Sequence, residues 1–256
     1  MHLGRIDIFP IKSLDGMAVE EAGITAGGIL ENDRIYAIHD QAGGYVNGKR
    51  TPRVHQLRCA FDAAVKEVRL WQTGESATVQ FCLEDTGRIN GWLGEFFGYP
   101  VTLRRDAQKG FPDDRTAFGP TVTSEASLRA IQEWYPSLEM ESVRRRFRTN
   151  LELSGCVPFE EDRLFGAPDE LKPFRIGAVQ FLGHNPCQRC VVPSRDPDSG
   201  NAVSEFQKTF AQLRAKHLPA WANAQRFNHY YRFAVNTSIP PTEAGKRLRV
   251  GDALSF

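Results

Sequence analysis

The sequence predicts an α+β protein that is predominantly β, with a few short packing helices. Segments rich in Ile, Val, Phe and Tyr recur between Gly, Asn and Asp turns in the first hundred residues, which is typical of strands. Only isolated stretches show the apolar spacing of three and four residues that indicates a helix. The balance of these two patterns favours sheets as the main architecture.

The first half is predicted to contain four strands and one helix. The helix is indicated because apolar residues from 89 to 96 are spaced i, i+3, i+4 and i+7, and Gly98 with Pro100 supplies the stop. The predicted strands cover residues 4–11, 34–39, 61–71 and 77–83.

A polar segment at residues 108–114 contains Gly and Pro and is predicted to separate two domains, residues 1–110 and 111–256. Beyond it, Ser124 has the chemistry of a helix N-cap, and Leu128 and Ile131 begin an apolar stripe. The later predicted elements are strands at 147–153 and 175–182, a helix marked by Phe206, Phe210 and Leu213, and two closing strands.

Composition limits the classes of partner. The chain has 256 residues, and its 32 basic and 31 acidic side chains nearly cancel, so neither nucleic acid nor a membrane surface is predicted as the main partner. No run approaches twenty apolar residues. Five cysteines, an odd number and scattered except for one pair, argue against a disulfide framework and predict a cytoplasmic protein in a reducing compartment.

The run HNPCQRCVVPSRDPDSGN, residues 184–201, carries the strongest indication of chemistry. Cys187 and Cys190 form a CxxC pair that Pro186 and Pro193 bracket, so an irregular loop is predicted here. Arg189 keeps its charge at physiological pH and is expected to favour the thiolate of the neighbouring Cys190. A thiolate in a loop can serve as a metal ligand or a nucleophile.

Spacing alone leaves several interpretations of this pair open. It is consistent with a redox dithiol, with part of a zinc site that includes His184, or with one metal-binding thiol beside a bystander. Two buried, chemically inert cysteines are the simplest alternative. Iron–sulfur ligation is disfavoured because it needs four cysteines in a recognisable spacing.

The stretch from Asp196 to Gly200 is predicted to be a turn rather than a calcium loop. Gly200 falls at the fifth position, where a calcium loop needs an oxygen ligand, and Glu205 falls at the tenth instead of the twelfth. Pro197 instead fixes φ, and Gly200 suits a positive φ.

These residues carry a resemblance to the MOSC family, whose members include the mitochondrial amidoxime-reducing component and its bacterial relatives. The segments that resemble the family lie at residues 6–16, 32–38, 146–155, 187–200 and 247–254, so the resemblance extends over nearly the whole chain. It implies two β-barrel-like domains, a MOSC N-terminal β-barrel-like domain over residues 1–110 and a MOSC domain over 111–256. It also implies the molybdenum cofactor, a molybdenum-bearing pyranopterin.

The resemblance assigns site residues by position. The second cysteine of the family's CxRC motif is the metal ligand, which implies that Cys190 binds molybdenum and is the catalytic residue. The role of Cys187 stays open. Cofactor contacts are implied for matching residues of the other motifs: Lys12, Ser13, Arg34, Thr116, Arg148, Asn150 and Arg189. Thr116 matches least well, because the segment RTAFGPT departs from the family's Thr-Ser pair.

The activity that the resemblance implies is reduction of N-hydroxylated compounds, in which two electrons and two protons convert an N–OH group to amine and water. Electrons are expected from a separate donor protein of the ferredoxin, flavoprotein or cytochrome type. None of the six histidines occupies an evident general-acid motif, so no proton donor is assigned. The alternatives are a non-catalytic cofactor carrier, a sulfur-handling protein, or a zinc-stabilised structural domain.

Overall fold

The computed structural model describes residues 1–114 and 116–256 and confirms a predominantly β, α+β fold. The described residues form fifteen strands, which are numbered in chain order: β1 His2–Ile8, β2 Met17–Val19, β3 Glu21–Gly23, β4 Tyr36–Asp40, β5 Leu57–Phe61, β6 Glu67–Gln72, β7 Val79–Cys82, β8 Val101–Arg105, β9 Val122–Ser124, β10 Leu151–Ser154, β11 Lys172–Ile176, β12 Val179–Gln188, β13 Arg232–Ser238, β14 Arg247–Arg249 and β15 Leu254–Ser255.

Eight of these strands form one large sheet in the order β15-β11-β12-β13-β9-β10-β1-β2. β1 therefore pairs with β10, a strand from beyond the predicted domain boundary. A bridge between His2 and Ala253 brings the two ends of this sheet together, although the described strands do not form a fully paired barrel. The division into domains at residue 110 stays a prediction.

The remaining strands form three small sheets. β3 pairs with β14, β4 pairs with β8, and β5, β6 and β7 form a meander. One continuous apolar core joins the two halves of the chain, because Leu3 and Ile6 of β1 belong to the same buried cluster as Phe174 and Phe181.

Four α-helices of the described residues pack on the sheets: α1 Thr86–Phe97, α2 Glu125–Trp134, α3 Met140–Phe147 and α4 Phe206–Lys216. The last three share a second core in which Phe147, Phe206 and Phe210 are almost fully buried. α1 ends at Gly98 in the left-handed conformation, and the Ser124 hydroxyl accepts the Ser127 N–H at the start of α2, as the sequence predicts. Within the described residues, no helix is long and apolar enough to span a bilayer.

Two predicted strands each contain a turn. The segment 61–71 divides because the Asp62 carboxylate accepts the N–H groups of Ala64, Lys66 and Glu67, which fixes a turn after β5. The segment 175–182 divides at Gly177, whose φ of 55° reverses the chain between β11 and β12.

The strand predicted at 147–153 begins later, at Leu151, because Phe147 is the last residue of α3. The sequence prediction missed α3, whose buried face carries Val143 and Phe147 at i and i+4. The sequence predicts two closing strands, whereas the structure has three, β13, β14 and β15.

The prediction of a loop around the CxxC pair is wrong for the first half of this segment. β12 continues through Pro186 and Cys187 to Gln188, and the chain leaves the strand only before Cys190. Proline is tolerated here because the pairing register of β12 with β13 shifts on both sides of it, between Gly183 and Asn185 and between Pro186 and Gln188.

Candidate functional site

A cleft of about 560 Å³ lies where α3 and the end of β12 face the loops of the N-terminal half. Cys187 and Cys190 both line it, and Cys190 is solvent-exposed. Of the residues predicted from the sequence, Ser13, Arg34, Arg148 and Arg189 line the same cleft. The structure thus brings both thiols and three of the predicted cationic groups to one cavity.

Three of these lining residues have unusual backbone geometry. Ser13, Arg34 and Arg148 have φ values of 74°, 51° and 51°, in the left-handed region that non-glycine residues seldom adopt. Backbone strain of this kind is found preferentially at ligand-binding and catalytic sites. At Arg148 the conformation also ends α3 and turns the chain toward β10.

The Arg148 guanidinium lines the cleft and has a nitrogen without a partner in the described residues. It stacks 4.3 Å from the centre of the Phe9 ring, and its buried Nη2 has no hydrogen-bond partner among the described residues. Burial, and then the nearby Arg34 charge, lower the Arg148 pKa to about 10, so it remains protonated at neutral pH. An unpaired, partly desolvated guanidinium is a strong binding group for a phosphate oxygen.

Arg34 is held in place by acids and an amide. Its Nη1 donates to Asp33 Oδ2 at 2.7 Å and to Asn150 Oδ1 at 3.2 Å. Asn150 is fully buried, and its oxygen also accepts the Thr121 N–H, while its amide donates to the Asp7 carbonyl. Asn150 therefore positions Arg34 from behind instead of lining the cleft.

Lys12 lies just outside the cleft lining. Its ammonium donates to the Phe111 carbonyl at 2.9 Å and to Asp113 Oδ1 at 2.5 Å, and its side chain is 8% exposed. Burial lowers the pKa of Lys12, and Asp113 opposes that effect. The positive charges of Lys12 and Arg34 lower the pKa of Asp113.

Thr116 is exposed, and both its N–H and its hydroxyl donate to Asp114 Oδ1 at 2.8 Å. Thr116 is absent from the described lining of the cleft, whereas Thr121, from the same connection, is present. The structure therefore does not bring Thr116 to the other predicted residues.

The two thiols have different neighbours. Arg189 Nη1 lies 3.4 Å from Cys187 Sγ, and the same guanidinium donates to the Phe147 carbonyl. The Arg189 side chain thus contacts the Cys187 thiol, and its effect on the Cys190 thiolate stays a prediction. Cys190 Sγ instead accepts the Val192 N–H at 3.5 Å.

The structure does not assemble the zinc site considered from the sequence. His184 is hydrogen-bonded through Nε2 to the Ser238 hydroxyl at 2.7 Å. Across residues 1–114 and 116–256, no three His, Cys, Asp or Glu side chains converge as metal ligands.

Sequence reasoning missed several lining residues, among them Asp113, Asn185, Arg232 and Asn236. Asn236 Nδ2 donates to Asp114 Oδ2 and to Asn185 Oδ1, both at 3.2 Å, and so joins β13 to the loop after β8. The only local signal was the Asp113–Asp114 pair inside the segment predicted as a domain boundary.

The fold and the cleft define a predominantly β protein whose candidate site combines an exposed thiol with several arginines. The chain belongs to the MOSC family, since the model of the MOSC domain matches residues 117–255. The model of the MOSC N-terminal beta barrel domain matches residues 1–97.

Individual relatives agree with this membership. Mitochondrial amidoxime-reducing component 1 of Homo sapiens is 29% identical over 271 residues, which cover 90% of this chain and 77% of that protein. Mitochondrial amidoxime reducing component 2 of Macaca fascicularis is 25% identical, with 98% of this chain and 82% of that protein covered. Molybdenum cofactor sulfurase of Oryza sativa subsp. japonica is 24% identical over 84% of this chain, but the match spans only 31% of that longer protein.

The residues present fit the molybdenum cofactor, which the sulfurase relative has in its name. A soft metal needs a sulfur ligand, and the exposed Cys190 thiol supplies one. A terminal phosphate needs charged donors, and the unpartnered Nη2 of Arg148 is such a donor within the described part of the chain.

Proposed function

We propose that this chain is a molybdenum cofactor-dependent reductase of N-hydroxylated compounds, namely hydroxylamines, amidoximes and N-hydroxylated bases. The observation that carries the proposal is the single cleft that Cys190 shares with Arg34 and Arg148. These groups match the two ends of the cofactor, a metal that prefers sulfur and a phosphate that prefers guanidinium. The two relatives named for amidoxime reduction support the choice of substrate.

In this proposal each residue has a distinct part. Cys190 contributes a thiolate to the metal and is the catalytic residue. Ser13, Arg34 and Arg148 bind the phosphate-bearing end, with Lys12 and Asn150 supporting them from behind the cleft wall. Arg189 orders the strand end by bonding Cys187 and the Phe147 carbonyl. A cofactor contact for Thr116 rests on the family resemblance alone.

When bound, the cofactor would supply a metal that cycles between two oxidation states. In the overall reaction the N–O bond of the substrate breaks, two electrons and two protons are consumed, and amine and water are released. The chain would hold the reacting groups together in a cleft of about 560 Å³. A separate cytoplasmic ferredoxin, flavoprotein or cytochrome is the proposed electron donor.

Elemental analysis tests the proposal directly. Protein purified from a host that makes the cofactor should contain stoichiometric molybdenum, and Cys190→Ala should lose most of it. Cys187→Ala is the matched control, since it removes the other thiol of the cleft and should retain the metal. Zinc instead of molybdenum, or molybdenum that persists in Cys190→Ala, would overturn the assignment.

A cofactor carrier or sulfur-handling protein is the second candidate. It is favoured by the second thiol, Cys187, beside the Arg189 guanidinium, and by the similarity to molybdenum cofactor sulfurase. An activity assay of molybdenum-loaded protein, with an artificial electron donor and benzamidoxime as substrate, separates the two candidates. Turnover supports the reductase, and bound molybdenum without turnover on any N-hydroxylated substrate supports the carrier.

A further inference from the structure

The Asp113 carboxylate lies against the cations that are proposed to bind phosphate. Its Oδ1 is 2.5 Å from Lys12 Nζ, and its Oδ2 is 4.0 Å from Arg34 Nε. Asp113 lines the cleft, whereas Lys12 lies behind it. A carboxylate of the chain itself therefore covers the Lys12 ammonium on its cleft side.

Lys12 depends on this carboxylate for charge balance. Its other described contacts are the neutral Phe111 carbonyl and the face of the Tyr45 ring, 5.4 Å from the ammonium. Asp113 is the acidic group within ion-pair distance of Lys12 in the described residues. A buried ammonium needs an anionic partner, and either a carboxylate or a phosphate can provide one.

We propose that Asp113 is an intramolecular competitor for anions in this cleft, so that a phosphate must displace its carboxylate from Lys12 and Arg34 in order to bind. Asp113 then sets the anion affinity and the selectivity of the site. The inference rests on the proposed function for the identity of the natural anion, the phosphate of the cofactor.

The local structure permits this displacement by rotation of one side chain. Hydrogen bonds anchor the backbone on both sides of Asp113. Before it, the Phe111 N–H donates to the Arg34 carbonyl at 2.8 Å. After it, the N–H groups of Thr116 and Ala117 donate to Asp114 Oδ1. The Asp113 side chain itself is 78% exposed. It can leave its partners without disturbing the core or the chain path.

Competition of this kind selects ligands by charge. A phosphate monoester carries roughly −1.5 to −2 charges at neutral pH and three acceptor oxygens, so it can replace a carboxylate between two cations. A ligand with a single carboxylate gains no advantage over Asp113. The site is therefore expected to take phosphate and to reject carboxylate metabolites of similar size.

The test uses inorganic phosphate and acetate as probes. Each is titrated by calorimetry into full-length protein made in a host that lacks cofactor synthesis. Asp113→Asn should bind phosphate about fivefold more tightly than wild type, the factor expected for loss of one partly exposed ion pair. It should also acquire measurable acetate binding. Lys12→Gln should weaken phosphate binding in both backgrounds.

Glu133→Gln is the charge-matched control, because it removes one negative charge from an exposed position on α2 and should leave phosphate affinity unchanged. If Asp113→Asn fails to fold, Asp113→Ala replaces it, with thermal stabilisation by phosphate as the readout. Unchanged or weaker phosphate binding in the Asp113 variant would overturn the inference. The titration needs neither molybdenum nor turnover, so a failure of the proposed function is scored separately by elemental analysis.

Discussion

Arg145 Nη1 lies 2.9 Å from Asp198 Oδ1, and this contact closes a ring of alternating charges. Arg58 Nη1 reaches the same Asp198 oxygen at 2.9 Å, and Arg58 Nε donates to Asp15 Oδ2 at 2.7 Å. Asp15 Oδ1 lies 3.7 Å from Arg145 Nε. The ring joins α3, β5, the loop after β1 and the turn after the CxxC pair, and two of its members, Asp15 and Arg145, line the cleft.

We expect Asp198→Asn to lower the free energy of unfolding by about 1 kcal/mol, because two guanidiniums lose a shared, partly exposed acceptor. Urea unfolding in low salt and in 1 M NaCl measures the effect, and the difference from wild type should shrink in high salt. Lys208→Gln, which breaks the exposed pair with Glu205, is the control and should have little effect. A loss of stability that does not depend on salt would contradict the electrostatic explanation.

Gly200→Ala is expected to destabilise the protein by about 2 kcal/mol or more, because its φ is 77° and an added Cβ would lie 2.4 Å from the Pro52 carbonyl oxygen. Gly43→Ala is a matched control, since Gly43 has a φ of 78° and no atom near its Cβ position. That control should cost about 1 kcal/mol from backbone strain alone. Equal losses in thermal unfolding would show that contact with Pro52 contributes nothing.

The raised pKa of Glu161 predicts that the protein loses stability as the pH rises. Burial, and then the neighbouring Asp162, raise its pKa from 4.5 to about 7. The folded state therefore holds the Glu161 proton more tightly than the unfolded state does, and this difference contributes to the free energy of unfolding. The contribution is complete below about pH 4.5 and disappears as the pH rises through about 7.

Wild type should therefore lose about 2–3 kcal/mol from this group between about pH 5 and pH 8. Glu161→Gln keeps one acceptor oxygen and places an amide NH2 where the other oxygen was, so one of the Thr123 and Ser127 hydroxyls can still donate and the other can accept. Because this side chain cannot ionise, the free energy of unfolding of the variant should fall less over the same range. Chemical denaturation of both proteins at the two pH values measures the difference. Parallel pH profiles would contradict the raised pKa.

Arg148→Gln should weaken binding of inorganic phosphate roughly tenfold, because it removes a charged donor whose Nη2 has no hydrogen-bond partner among the described residues. Calorimetric titration measures the affinity. Arg53→Gln removes the same charge from a residue stacked on Phe96 and should bind as wild type does. Equal affinity in Arg148→Gln and wild type would place the anion elsewhere.

Those features of the fold whose signals are complete within a few residues could be predicted from the sequence. α1 combines an apolar face with the stop at Gly98, and α2 begins at a residue, Ser124, whose hydroxyl performs the capping. The turn from Asp196 to Gly200 was likewise predicted, and Asp196 Oδ1 accepts the Ser199 N–H while Gly200 takes a positive φ.

Features that depend on contacts between distant residues could not be predicted from the pattern. The hairpin turns at Asp62 and Gly177 lie inside continuous strand-like runs, so one strand and two strands look alike. In the site, Cys190 stands in a contiguous motif, whereas Arg34 and Arg148 were found only through the family resemblance. Asp113 was missed because its partner, Lys12, is 101 residues away.

The pairing of β1 with β10 has a consequence for biosynthesis. β10 begins at Leu151, so at roughly 5–20 residues per second the nascent β1 waits on the order of 10–30 s for its partner to leave the ribosome. Until then β1 can pair only with β2, and an open strand edge of this kind is prone to associate with other chains. Arg5 and Asp7 place a charged pair on β1, and their Nε–Oδ2 contact of 2.7 Å requires no other part of the chain. These charges would protect the emerging segment from aggregation until the rest of the sheet has been synthesised.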